Sequence, residues 1–147
     1  MKLYNYYLLA LQNWCTTDYQ IHGLWSDITS TTYPSYCTDI PFNLTQLQQS
    51  DKYDQISKFW TDCDYQNTIS LYEHEWTKHG TCVAFQTGFS QNDYFEKALE
   101  LYLDNSSNQG RDVCFDLDFN TIVCPLKGNL RSPLIAETKT NKKYVAL

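Results

Sequence analysis

The run Glu73-His74-Glu75-Trp76-Thr77-Lys78-His79-Gly80-Thr81-Cys82 holds two of the chain's three histidines, with a carboxylate and a lysine between them. The third histidine stands in Ile21-His22-Gly23-Leu24-Trp25. Imidazole titrates near neutrality and is the usual proton carrier in catalysis. Three such groups gathered in two short motifs point to acid–base chemistry. Leu71, Tyr72, Glu75, Trp76 and Lys78 suit a helix from about Ile69 to His79, with Gly80 at its C-terminal end. At about 100° per residue, His74, Lys78, Glu75 and His79 share one face, and Trp76 points to the core. Glu75 and His79 form one i,i+4 pair, in which the carboxylate can orient the imidazole. His74 and Lys78 form another. Both can be cationic, and an anion such as phosphate would relieve their repulsion. A lone Lys or Glu on such a face would be ordinary solvation, but this combination is not used to decorate a surface. A zinc-protease helix needs His-Glu-x-x-His. Here Lys78 takes the second histidine's place, so no metal is expected.

Several elements must hold these groups. Strands are expected over 3–11 and about 19–25, a helix within 44–60, then the helix just described. A further helix near 91–104 and a hairpin over 112–124 complete the order, with Asn120-Thr121 offering the turn. That is an α+β fold, an antiparallel sheet with helices packed to one side. The length of 147 residues fits one domain over 1–147. Residues 126–147 carry five of the eleven basic residues and one of the seventeen acids. They read as a divergent or flexible tail. The net charge of −6 argues against bulk electrostatic binding of nucleic acid. It leaves room for an enzyme that holds one or two phosphates. No apolar run is long enough to span a membrane. Six cysteines suggest three disulfides and an oxidising compartment, with fifteen pairings open. Asn43-Leu44-Thr45 and Asn105-Ser106-Ser107 are glycosylation sequons.

The two histidine motifs resemble those of the ribonuclease T2 family of acid, secretory-type endoribonucleases. Ile21-His22-Gly23-Leu24-Trp25-Ser26-Asp27 is similar to the family's first active-site segment, with Ser26 where proline is usual. Glu73 to Cys82 is similar to the second almost throughout. Leu9-Ala10-Leu11-Gln12 with Trp14-Cys15 resembles the family's first strand and the turn after it. Tyr33-Pro34-Ser35-Tyr36-Cys37, Pro41-Phe42-Asn43 and the helix from Tyr94 to Tyr102 continue the likeness. Relatives usually run several dozen residues further before their C-terminal strands, and no match is evident from Leu126 onward. By resemblance Met1–Leu11 is the first strand. It is too short and too rich in Tyr and Asn for a signal peptide.

The resemblance implies cleavage of single-stranded RNA without metal or other cofactor, using the RNA's own 2′-hydroxyl. His79 would be the general base and His22 the general acid. Glu75 and Lys78 would stabilise charge at phosphorus, and His74 would bind the phosphate. Trp25 and Asp27 fall where the family binds the base 5′ to the cut, with Tyr33 a further stacking candidate. For Trp25 and Tyr33 core packing is the alternative. The family pattern favours Cys37–Cys82; Cys114–Cys124 would brace the hairpin, and Cys15–Cys63 is then left. In-line attack asks independently for an acid and a base from different segments. Ordinary histidine values give a bell-shaped optimum at about 5 to 6.5. DNA, lacking the 2′-hydroxyl, should not be cut. The chain is read as a monomer, secreted or lumenal/lysosomal. The alternative is a T2-like RNA-binding or storage protein without catalysis.

Overall fold

The structure, a computed structural model, describes residues 4–14, 16–106 and 112–125. Strand β1 (Tyr6–Gln12) is followed by β2 (Gln20–Asp27). Two short helices come next, α1 (Leu44–Gln48) and α2 (Tyr53–Phe59), where one was expected. Helix α3 (Tyr65–Glu75) runs into a π-helical turn (Trp76–Gly80) and on into α4 (Thr81–Thr87). Helix α5 (Gln91–Asp104) precedes the short strands β3 (Val113–Phe115) and β4 (Thr121–Ile122). The four strands form one antiparallel sheet in the order β2-β1-β3-β4, so β2 is an edge strand. Cys15 and the basic stretch 126–147 lie outside the described residues, as does Ser107 of the second sequon.

Short polar side chains mark the helix starts. Asn43 accepts from the Gln46 amide, and Asp64 from the Asn67 amide. Ser90 and Asp93 cap each other's backbone amides at the head of α5. Gly88, at φ 83°, ends α4 in the left-handed conformation that glycine adopts freely. Pleat alternation sends Tyr7, Leu9 and Leu24 into the core beneath the helices, with Trp60, Tyr72, Trp76, Tyr94 and Phe95. Tyr6 and Leu8 face the other side, against Cys114, Ile122 and Cys124. Buried Tyr94 clamps α5 to β2: its hydroxyl donates to the Leu24 carbonyl (3.0 Å) and faces the Leu24 amide (3.3 Å).

Three local expectations are corrected. Gly80 does not end the helix of the second motif, which starts earlier than Ile69 and continues through Gly80. Glycine stands there because a Cβ would come within 2.6 Å of the Trp76 ring and 2.9 Å of the Tyr94 ring. The hairpin turn is not at Asn120-Thr121. The Phe119 amide donates to the Asp116 carbonyl, and the Asp116 carboxylate accepts from the amides of Asp118 and Asn120. Phe119 takes a left-handed φ of 64°, and Thr121 is already in β4. The alternation Phe115-Leu117-Phe119 mimics a strand, but Asp116 folds it back by bonding its own backbone.

Disulfides join Cys37 to Cys82 and Cys114 to Cys124. Cys63 is also disulfide-bonded.

Candidate active site

A cleft of about 500 Å³ is lined by His22, Trp25, Asp27, Tyr33, His74, Glu75, Lys78 and His79. All eight side chains singled out from the two motifs and the loop after the first therefore meet in one place. Leu8 and the hydroxyl-rich loop Thr29-Ser30-Thr31 complete the lining, and sequence reasoning passed over both.

Two local irregularities aim the histidines. Ala10 pairs with Gly23 and Leu11 with Ile21, which leaves His22 as the extra residue of a β-bulge. A bulge breaks the alternation of the pleat and re-aims a side chain. Ile21 therefore stays in the core while His22 enters the cleft. Gly23 leaves the room that this needs. A Cβ there would collide with Glu75 Oε1 and come within 2.6 Å of the Trp25 indole nitrogen.

The π-helical turn carries Lys78 and His79. Its extra residue breaks the i,i+4 register on which the pairing of Glu75 with His79 was expected. Glu75, 1% exposed, turns to the strand instead. Its Oε1 accepts from Trp25 Nε1 at 2.6 Å. Its Oε2 lies 3.5 Å from His22 Nε2 and 4.0 Å from His74 Nε2. His79 is buried and makes ring contacts rather than ion pairs. It stacks on Trp25 (4.8 Å between centroids, 24° between planes) and meets Tyr33 at 5.8 Å. Its Nδ1 is buried without a hydrogen-bond partner. Trp76 is core, as expected, with its indole donating to the Ile40 carbonyl.

The loop after β2 is latched to this turn. The Tyr36 amide donates to the Lys78 carbonyl, and the Cys37 amide to Thr81 Oγ1. The Cys37–Cys82 bridge locks both. Tyr36 is held at φ 52°, a left-handed conformation that costs a bulky residue energy. The latch keeps Tyr33 over the cleft, where Lys78 Nζ lies 5.4 Å from its ring centre.

The electrostatics follow from burial. Desolvation first, then the cations Lys78, His74 and His22, push His79 down to about 3. His22 is also lowered, by burial and then by His74, with Asp112 and Asp62 opposing. Glu75 is pushed up to about 7 by burial, against the Trp25 hydrogen bond and Lys78. Among the described residues, no group of three or more His, Cys, Asp or Glu side chains is placed to hold a metal ion.

The Ribonuclease T2 family matches residues 7–110, a stretch that contains both motifs. This chain belongs to the ribonuclease T2 family. Human ribonuclease T2 is 38% identical over 98 residues, covering 63% of this chain and 36% of the human protein. Ribonuclease DdI of Dictyostelium discoideum is 34% identical over 93 residues, covering 63% of this chain and 40% of its own length. The crystal structure of human RNase T2 superposes with a TM-score of 0.56 at 29% identity, covering 71% of this chain and 59% of that one. The chain thus spans less than half the length of the curated T2 relatives it matches.

Proposed function

We propose that this chain is an endoribonuclease that cleaves single-stranded RNA by transesterification, without metal, leaving 2′,3′-cyclic phosphate ends. What carries the reading is the meeting of His22, from a strand, with His79, from a helix, on the single indole of Trp25. In-line displacement at phosphorus needs two proton carriers from separate segments, and this arrangement supplies them. His79 takes the proton from the 2′-hydroxyl. Its buried, neutral ring is ready to accept one, and the developing negative charge offsets the three cations that suppress its protonation. His22 gives a proton to the departing 5′-oxygen. His74, more than half exposed at the cleft edge, and Lys78 hold the phosphate.

Glu75 presents a difficulty that burial resolves. An ionised carboxylate beside a phosphodiester would repel the charge that builds at phosphorus. With its pKa raised to about 7, Glu75 is neutral in acid. It can then donate to a non-bridging oxygen while Trp25 fixes its other oxygen. Trp25, Asp27 and Tyr33 take the base 5′ to the cut.

Both histidines titrate below the ordinary value, so the active window is more acidic than reference histidines imply. It opens above about 3, where His79 becomes neutral, and closes at the lowered value of His22. The window suits an acidic lumenal or extracellular setting. The test is cleavage of a short RNA in EDTA at pH 4 to 6, beside the same DNA sequence. RNA cut to cyclic phosphate ends with DNA intact is expected. A folded, oxidised sample that binds RNA without cutting it would leave a non-catalytic binding protein.

A further inference from the structure

We propose that Trp14 is a positioning residue for His22, closing the outer side of the imidazole and holding its Nε2 toward Glu75. The inference rests on the acid role given to His22 above. Trp14 follows β1 and is 63% exposed, the most of any large apolar side chain described. Trp60 and Trp76, by contrast, are buried in the core. Its ring meets His22 at 5.1 Å, with the planes at 67°. Trp25 meets the same imidazole at 5.3 Å and 76°. His22 is thus held between two indoles, both in edge contact.

The clamp matters because little else fixes this ring. A catalytic histidine is commonly oriented by a hydrogen bond at its second nitrogen. The Nε2 of His22 approaches Glu75 at 3.5 Å, longer than a good hydrogen bond. Rotation about the Cβ–Cγ bond would swing Nε2 off that line and away from the leaving oxygen. Edge-to-face aromatic contacts favour one orientation, each by about 1 kcal/mol. Trp25 supplies one of them from inside, and Trp14 supplies the other from solvent. The charged and titratable groups that face His22 are Glu75 and His74 from α3, Asp62 between α2 and α3, and Asp112 before β3; His79 acts from the π-helical turn. Replacing Trp14 moves none of them. It admits water to one side of the imidazole.

The test compares Trp14→Ala and Trp14→Phe with the wild type on a dinucleoside phosphate and on a nucleoside 2′,3′-cyclic phosphate. In hydrolysis of the cyclic phosphate His22 would work in reverse, drawing a proton from water, and no leaving nucleoside is present. Trp14→Ala should lower kcat about tenfold on both substrates, with KM within about twofold. The alkaline limb of its pH profile should rise by about half a unit as His22 is rehydrated, while the acidic limb stays in place. Trp14→Phe should restore most of the rate. A loss confined to KM on the dinucleotide, absent on the cyclic phosphate, would overturn the proposal and make Trp14 a stacking platform. Wild-type kinetics in Trp14→Ala would overturn it too. If Trp14→Ala fails to fold, Trp14→Leu, which fills the space without an aromatic edge, is read in the same way. The His22 ring resonance, titrated by NMR, reads the clamp without turnover. An unchanged titration in Trp14→Ala sinks the clamp, whereas a shifted one in a protein that cuts no RNA sinks only the ribonuclease reading.

Discussion

Glu75 lies between a strand indole, two imidazoles and the backbone of Gly23. A charged carboxylate is expensive there, and a neutral one is not. The two forms should therefore be separable by substitution. Glu75→Gln keeps the shape and a donor, so at pH 5 it should retain activity within about tenfold of wild type. Glu75→Ala removes the donor and should lose about a hundredfold in kcat, the usual effect of one transition-state hydrogen bond. Equal losses in the two variants at pH 5 would argue for the ionised form. His22→Ala and His79→Ala should each lower the rate about 10³-fold, in line with general acid–base catalysis. Wild-type rates in either would remove that residue from the mechanism.

At the level of elements, the site depends on two places where regular spacing fails. The bulge at His22 and the π-helical turn at Trp76–Gly80 each add a residue to an otherwise regular element. Neither leaves a mark in composition. Motif reading could bring His22, His74, Glu75, Lys78 and His79 to one cleft, but it paired Glu75 with His79 across a regular turn that is absent. Gly23 and Gly80 carried a usable signal, since each stands where a side chain would strike a neighbour. The Cys37–Cys82 bridge ties the loop bearing Tyr33 to this turn across 45 residues. Replacing both cysteines with alanine should cost about 4 kcal/mol by loop-closure entropy. It should also raise KM through Tyr33 more than it lowers kcat. Urea melts and kinetics on the double variant check both effects.

For the molecule as a whole, the order of strands and helices followed from pattern, because caps and periodicity are local. The split of 44–60 into two helices did not. Nor did the Asp116 turn, where a side chain overrides an apparent alternation. Stability should carry the imprint of the site. Glu75, raised from 4.5 to about 7, makes the folded state less stable as pH rises through that interval. His79, lowered from 6.5 to about 3, makes it less stable as pH falls through its own. Between 4.5 and 6.5 these two slopes oppose, while His22, also lowered, adds to that of His79. Below 4.5 the Glu75 slope fades, and His79→Asn should spare about 1 kcal/mol of the loss between pH 4.5 and 3.5. Denaturant melts at those two values measure it.

The row of rings Trp14, His22, Trp25, His79 and Tyr33 also makes the cleft visible to light. A protonated imidazole quenches indole emission on contact, whereas a neutral one does so weakly. Trp25 touches both histidines and Trp14 touches His22, while Trp60 and Trp76 lie in the core as a steady background. The protein thus holds its own optical record of proton occupancy. Emission should dim in two steps on acidification, the first as His22 gains a proton and the second as His79 does, and Trp25→Phe should erase the second.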